Sequence, residues 1–427
     1  MKNIYPYFLV LLMIGIASAS SVVDTPVIAK IEIRGNQLTK NYIIEREIHH
    51  PVGVPFDSTI AMMDRNRIDN LGIFSDVQFY LSPADKGEVI LTYYVVETWR
   101  IFPVPLIMYQ EETGWSYGGM LLVKNFRGRN EYLEILGAGG QNQFGSVEFH
   151  NPWIAGDHIS LQSHLLFNVF NHSFLSFTYQ ELDGEITMGR YFGYNWKTWI
   201  TTSLEKRWID YFDIQSDDIE HVYFQAKLQL MYDTRDIYIN PTKGVKIFTE
   251  IRPDIGLDDN SPHNAYWEFQ SSVYKSFISG PKNWVGGFSL YFRKYFGESI
   301  PYRILSVGGV ESVRGWNVVD SLKYSNENYR TGTNQYNATI ELRQTIIPKR
   351  LSSIGTEFGL ILAEFVDVGA ADDKFIRMFS KPAIAGAGAG VRFYIPGNML
   401  FRIDYGVGFY KGRWRNSVWH LGIGHKF

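Results

Sequence analysis

Apolar and polar positions follow one rhythm near the start of the chain and a different one over the rest. Val27, Ala29, Ile31 and Ile33 interleave with Lys30, Glu32 and Arg34, the period-two signature of a strand with one buried face. Gly35-Asn36 ends that strand. Tyr42 to Ile48 then sets Ile44 and Ile48 four apart around Glu45, Arg46 and Glu47, which predicts a short helix. Asp57-Ser58 caps a second helix, with Ile60, Met63 and Leu71 on one face and Gly72 as terminator. Two further strands are predicted around Val77-Phe79-Leu81 and Val89-Leu91-Tyr93-Val95, joined by a turn at Asp85-Lys86-Gly87. This β-α-α-β-β order over residues 26–100 predicts a small domain with a three-stranded sheet and two helices on one face. About 75 residues is small but sufficient for independent folding.

Phe102-Pro103-Val104-Pro105 reads as a joint, and beyond it, over residues 106–427, the helical rhythm disappears. Ile159, Leu161, Leu165, Phe167 and Val169 alternate with His158, Ser160, Gln162, His164 and Asn168. Phe401, Ile403, Tyr405, Val407 and Phe409 alternate with Arg402, Asp404, Gly406 and Gly408. The last segment places Trp419, Leu421, Ile423 and Phe427 on one face and His420, Gly422, Gly424 and Lys426 on the other. In a soluble sandwich the apolar face packs inward; in a membrane barrel it faces lipid while the polar face lines the lumen. Alternation alone does not separate the two. Size favours the barrel, because a helix-free stretch of this length exceeds an ordinary single sandwich. At roughly 20 residues per strand and loop it holds about sixteen strands. In hydrocarbon every backbone N–H and C=O must be paired, so such a sheet has to close. The expected fold is mainly β: a C-terminal transmembrane antiparallel barrel behind one small α+β domain.

Composition sharpens this picture. Of 427 residues, 41 are Lys or Arg and 44 Asp or Glu, giving a net charge of −3 that offers nothing to a nucleic-acid partner. Cysteine is absent, which excludes disulfides, thiolate metal sites and a lipidated cysteine anchor. Aromatics reach 16%, in keeping with the interfacial girdles of a barrel. Lys2, the apolar run Tyr7 to Ile16 and the small residues Ala17-Ser18-Ala19 predict a signal peptide over residues 1–19. No run of about 18 apolar residues follows, so no transmembrane helix is expected.

The most specific local signal is Gly308-Gly309 followed by Val313-Arg314-Gly315-Trp316. A glycine pair leading into an Arg-Gly-aromatic tip suits a long loop that bends sharply and presents one cation. Downstream, Glu341 and Arg343 share a strand face, as do Phe365, Asp367 and Gly369. Both carboxylates fall on the lumen side, within reach of an inward-folded loop carrying Arg314. The alternative is an ordinary exposed loop arginine, whose surface pairing would be worth little. Catalytic, cofactor and metal motifs are not supported. Gly114-Trp115-Ser116-Tyr117-Gly118 has the Gly-x-Ser-x-Gly pattern, but both its flanks alternate as strand, so it does not sit at a strand-turn-helix corner. His49-His50 lacks the spacing of a zinc pair, and Gly386-Ala387-Gly388-Ala389-Gly390 precedes a strand, not a helix.

Several of these residues, in order, resemble the outer-membrane assembly-factor superfamily (BamA/TamA-like, bacterial surface antigen family). Val313-Arg314-Gly315-Trp316 is similar to its Val-Arg-Gly-aromatic loop, Phe365-Val366-Asp367-Val368-Gly369 to its Phe-x-Asp-x-Gly strand, and Glu341-Leu342-Arg343 to its Glu-Leu-Arg strand. Asp233-Thr234-Arg235-Asp236 with Pro241-Thr242-Lys243-Gly244 resembles a family hairpin. Asn125-Phe126-Arg127-Gly128 and Asn151-Pro152 resemble its early strands, and Phe427 its terminal signal. The front domain resembles a POTRA module. The resemblance implies a sixteen-stranded barrel in a Gram-negative outer membrane, embedded in lipid, with POTRA in the periplasm. It also implies that Arg314 contacts Glu341 and Asp367. The first and last strands, Thr113 to Val123 and Ser417 to Phe427, would meet at a weak seam. There unfolded outer-membrane proteins would add strands, with periplasmic or lipoprotein accessory factors as further partners and no enzymatic step. A two-partner-type polypeptide secretion pore and a passive channel are the alternatives. The few residues between Ala19 and the first strand leave no room for a secretion pore's plug helix.

Overall fold

The computed structural model describes residues 25–110, 114–155, 158–172, 177–211, 219–297, 305–318, 328–353 and 356–427. The expected signal peptide at 1–19, and Thr113, lie outside the described residues. The front domain has the β-α-α-β-β order: β1 (Ile28–Arg34), α1 (Asn41–Glu45), α2 (Ser58–Asn70), β2 (Phe74–Pro83) and β3 (Val89–Glu97). β3 is central, parallel to β1 and antiparallel to β2. Asp57 caps α2, its Oδ1 accepting the amides of Thr59 at 2.7 Å and Ile60 at 3.3 Å. Those two N–H groups also lower the Asp57 carboxyl pKa.

The domain core is Ile28, Ile43, Ile44, Ala61, Ile68, Phe74, Val77, Leu91, Tyr93 and Val95. Two details depart from the sequence pattern. A register shift between Ile28 and Lys30 turns Ile28, rather than Val27 and Ala29, into the core. On α2 the buried stripe runs through Ala61, Asp64 and Ile68, while Met63 is exposed. An aspartate takes a core position because it is fully satisfied there. Its Oδ2 accepts the His50 amide at 2.9 Å and the Tyr93 hydroxyl at 3.1 Å, and its Oδ1 accepts Arg67 Nη1 at 2.6 Å. Burial, with Asp64 alongside, raises the Tyr93 hydroxyl pKa far above its ordinary value.

The rest of the chain forms one sixteen-stranded sheet. Eleven strands come first: β4 (Ile101–Gln110), β5 (Gly114–Phe126), β6 (Glu131–Gly140), β7 (Asn142–Asn151), β8 (Ile159–His172), β9 (Phe177–Phe192), β10 (Trp196–Tyr211), β11 (Ile219–Asp233), β12 (Gly244–Gly256), β13 (Asn264–Ile278) and β14 (Trp284–Gly297). A long loop carries the two-residue strands β15 (Leu305–Ser306) and β16 (Thr331–Gly332), which pair with each other. β17 (Asn334–Leu351), β18 (Glu357–Asp372), helix α3 (Phe375–Ser380), β19 (Ile384–Ile395), β20 (Met399–Tyr410) and β21 (Arg413–Ile423) follow. Each strand of the large sheet pairs antiparallel with its sequence neighbour, and β14 pairs with β17 across the loop.

The sheet is apolar outside and polar inside. On β9, Ile186 is 57% exposed while Asp183 and Thr187 are buried; on β10, Leu204 is 60% exposed while Ser203 and Glu205 are buried. A soluble core has the opposite arrangement, so the outward face is suited to lipid and the polar face lines a lumen. No helix among the described residues is long and apolar enough to cross a membrane.

Two expectations need correction. The first barrel strand is not Thr113 to Val123 but β4, which begins at Ile101, before position 106, and pairs with β5 from Ile101↔Val123 to Gln110↔Gly114. Pro103 and Pro105 read as a break in sequence, yet a strand at a sheet edge tolerates them. Nor does the last strand run to Phe427. Strand β21 ends at Ile423, and Gly424, at φ +79°, turns the following residues inward. Phe427 therefore stacks on the lumenal Tyr274, with ring centroids 5.9 Å apart, instead of sharing the lipid face with Trp419 and Leu421. Among the described residues no ladder joins β4 to β21; these are the two ends of the sheet.

Replacing Asp64 with alanine strands Arg67, the Tyr93 hydroxyl and the His50 amide at once. It should destabilise the front domain by about 3–5 kcal/mol. Limited proteolysis of the full chain, scored by selective cleavage between residues 26 and 100, checks this; a digestion pattern like that of the unmodified protein would contradict it.

Candidate functional site

The site is built where the loop between β14 and β17 folds back into the lumen. Gly308 and Gly309, at φ +131° and +95°, allow the bend. The Gly309 amide donates to the Trp316 carbonyl at 2.8 Å, and Arg330 Nη1 donates to the carbonyls of Val307 and Asn317 at 2.9 and 2.8 Å. The tip is thereby closed into a compact hairpin with Val313 and Trp316 buried against Ala371 and Ile384.

Arg314 at the tip is 0% exposed. Its amide and Nε donate to Asp367 Oδ2 at 2.9 and 2.8 Å, and Nη2 donates to Asp367 Oδ1 at 3.1 Å. Nη1 donates to Glu341 Oε2 at 2.9 Å and to Asp404 Oδ2 at 3.0 Å. The guanidinium carbon lies 3.5 Å from the centroid of the Phe365 ring. One planar cation thus ties β17, β18 and β20 together, and the Phe365 face adds a cation–π contact. The paired face Phe365, Asp367 and Gly369 and the face Glu341 and Arg343 are all buried toward the lumen. The alternative of an exposed loop arginine is set aside by this burial.

Sequence reasoning missed several members. Asp404 is the third carboxylate, and Arg392 bridges it to Glu341, with Nη1 on Asp404 and Nη2 3.3 Å from Glu341 Oε2. Arg343 Nε donates to the other Glu341 oxygen at 2.8 Å. Lys426 reaches the Ser312 carbonyl, Thr339 Oγ1 at 2.7 Å and Asp367 Oδ1 at 3.1 Å. The Gly315 amide donates to His420 Nε2 at 2.9 Å, so the tip touches the last strand directly. Phe427 offers its carbonyl oxygen to Arg343 Nη2 at 3.2 Å.

The Gly-Ala repeat on β19 finds its role here as well. A Cβ on Gly386 would sit 1.7 Å from the Arg314 carbonyl oxygen, one on Gly406 2.7 Å from the Gly315 nitrogen, and one on Gly408 2.8 Å from the Gly315 oxygen. These glycines form a bed that lets backbone lie on backbone. Trp316 is pinned beside it, Nε1 donating to the Ala385 carbonyl at 2.7 Å.

Other motifs sit where the two domains meet. Gly128 in the β5–β6 turn accepts the Lys40 amide at 2.9 Å, and Asn125 Nδ2 donates to Thr39 Oγ1 at 2.8 Å. In the β11–β12 turn, the Tyr238 amide donates to Asn70 Oδ1 at 2.8 Å while Asn70 Nδ2 donates to the Asp236 carbonyl at 3.0 Å. Arg46 stacks on Trp153 at 4.1 Å and Arg67 on Tyr194 at 3.9 Å. Thr98 donates to Glu357 at 3.0 Å. The front domain therefore sits across the mouth of the barrel, with a half-open cavity of about 1010 Å³ lined by residues of both parts.

Ser116 of the Gly-x-Ser-x-Gly stretch lies inside β5 and donates to the Asn142 carbonyl at 3.0 Å. His50 accepts the Asp57 amide at 2.9 Å and His49 packs edge-on to Tyr194, so this pair makes no joint site. His164, Asp183 and Glu185 bring one ligand atom each within 4.8 Å of the others, but Lys227 already supplies a cation to Glu185.

Comparison with known proteins places this geometry. The Omp85 superfamily domain matches residues 125–427, and the POTRA model, described as a surface antigen variable number repeat, matches residues 26–98. The fold is similar to BamA from Haemophilus ducreyi lacking POTRA domains 1–3, at 16% identity and a TM-score of 0.54, covering 93% of this chain and 85% of that one. It is also similar to CdiB from Escherichia coli, at 14% identity and a TM-score of 0.60, covering 94% of this chain and 75% of that one. CdiB from Acinetobacter baumannii gives a TM-score of 0.54 at 14% identity, with 94% and 74% covered. The chain belongs to the Omp85 superfamily, as a non-enzymatic outer-membrane β-barrel with a single POTRA domain among the described residues.

Proposed function

We propose that this protein assists the assembly of other outer-membrane β-barrel proteins by strand augmentation at the seam between β4 and β21. The observation that carries the reading is that these end strands have no ladder between them among the described residues. An unpaired edge in hydrocarbon leaves backbone groups unsatisfied at several kcal/mol each, and an incoming strand relieves that cost. The client satisfies its own backbone in the same act. The POTRA domain lies at the periplasmic mouth, where it receives unfolded clients and any periplasmic or lipoprotein accessory factor.

In this reading Arg314 with Glu341, Asp367 and Asp404 is the latch that sets the loop, and through the contact of Gly315 with His420 the loop supports β21 from inside. Forming such a buried cluster gains little net energy, because desolvation offsets attraction. Removing one partner leaves charges buried and unmatched. The latch therefore specifies geometry more than it adds stability. Export of one dedicated polypeptide through the lumen is the competing function. The loop and the Gly424–Phe427 segment, which cross the lumen at Arg314 and Tyr274, support the seam over the pore.

Depletion followed by profiling of outer-membrane proteins tests the proposal. A general fall in barrel proteins is expected; loss of one exported protein, with a large steady conductance of the purified barrel in planar bilayers, would sink it. Arg314→Ala and Asp404→Ala should each weaken the barrel by about 3–5 kcal/mol and lower client assembly together. Heat-modifiable gel mobility reads the first effect and client levels the second. Gly386→Val should reproduce the Arg314→Ala behaviour with every charge intact, since its side chain occupies the place of the Arg314 carbonyl; normal mobility and client levels in Gly386→Val would refute the glycine-bed account.

A further inference from the structure

The backbone of β4 explains why the seam stays open. The Lys124 amide donates to the Arg100 carbonyl at 2.8 Å, so Arg100 and Lys124 form a hydrogen-bonded antiparallel pair. Continuing the register, Phe102, Val104 and Leu106 bond to β5 through Leu122, Met120 and Gly118. On the other side of β5, the Gln141 amide donates to the Trp115 carbonyl at 2.9 Å, which commits the odd-numbered residues of β5 to β6 and agrees with this assignment. The backbone groups of Ile101, Pro103, Pro105, Ile107 and Tyr109 must then point away from β5, toward the seam. Proline has no N–H. Two consecutive seam-facing donors are missing.

The opposite edge has the complementary need. The Gly424 amide donates to the Leu400 carbonyl at 2.7 Å, so Gly424, Gly422 and His420 bond to β20, and Trp419, Leu421 and Ile423 present their carbonyls to the seam. Closing β21 onto β4 would set carbonyls of this row against Pro103 and Pro105, where nothing can donate. Each unmatched carbonyl in a lipid environment costs several kcal/mol. We propose that Pro103 and Pro105 are the residues that prevent β21 from zipping onto β4, and that they isolate the Ile101 donor at the start of the strand, so that the consecutive donors offered to an incoming strand are those of Ile107 and Tyr109, in the half of β4 farther from the POTRA domain. β4 is thus an acceptor-rich edge near the periplasmic mouth and a normal edge beyond it. A partner strand would register on the far half first. The second part of this inference rests on the strand-augmentation reading; the first part, on self-closure, does not.

The test uses the natural lack of cysteine in this chain. Ile101→Cys is combined in turn with Trp419→Cys, Leu421→Cys and Ile423→Cys, in the full-length protein in detergent micelles with no client present. With the prolines in place, disulfide yield is expected to be low at all three positions. The Pro103→Ala/Pro105→Ala double variant should raise it severalfold at one of them and should raise the temperature of the heat-modifiable shift. Pro105→Ala alone, which restores one donor, should fall between, and it serves as the test where the double variant does not fold. Yields and transition temperatures unchanged by restoring either donor would overturn the proposal. Because no client is present, this result stands apart from the depletion experiment. Seam closure in the alanine variants with undiminished client assembly would refute the strand-augmentation reading alone.

Discussion

A guanidinium held out of water between three carboxylates organises the interior of this barrel. Arg314 alone would be prohibitively costly to bury, and so would Glu341, Asp367 or Asp404; each is tolerable only because the others are fixed within hydrogen-bond reach. The cluster therefore exists only with the loop folded inward. It draws in further charges. Arg392 and Arg343 neutralise the outer oxygens of Asp404 and Glu341, and Lys426 attaches the segment after β21 to Asp367. Loop, four strands and the last residues become one polar core, the counterpart in a water-lined barrel of the hydrophobic core in the POTRA domain.

The two parts of the molecule solve the same problem with opposite chemistry. In the POTRA domain apolar side chains from both helices meet over the sheet, and Asp64 survives inside because three donors surround it. In the barrel most large apolar side chains point outward and only small clusters pack inside, such as Val313 and Trp316 against Ala371 and Ile384, so ladders and lumenal charge pairs do most to specify the structure. The front domain joins the barrel through the β5–β6 turn at Gly128, the β9–β10 turn at Tyr194, the β11–β12 turn at Tyr238 and the start of β18 at Glu357. A polypeptide approaching the lumen from that side must pass this ring of contacts.

Much of this was legible in sequence. Period-two alternation gave the strands, and the switch from helical to alternating rhythm separated the two parts. Glu341, Phe365, Asp367 and Gly369 were placed on the lumenal face by parity alone. Asp404 and Arg392 were not singled out, because parity puts many polar residues on that face and nothing local marks those the loop will reach. The glycines of β19 read in sequence only as an unsupported dinucleotide loop, and those of β20 only as polar-face positions, for a related reason: their purpose is to leave space for the backbone of Arg314 and Gly315, which lies far away in the chain. Pro103 and Pro105 misled the assignment of the first strand, since proline signals a break unless the strand is known to be an edge. Gly424 likewise gave no hint in the alternation that Phe427 would leave the strand.

That inward turn has a practical consequence. Phe427 ends its path against Tyr274, over the space left open by Gly287, with its carbonyl oxygen held by Arg343. Any peptide fused behind it starts from within the lumen and must either fill that passage or pull Phe427 and Lys426 from their seats. A purification handle belongs elsewhere on this molecule if its interior is to be left undisturbed.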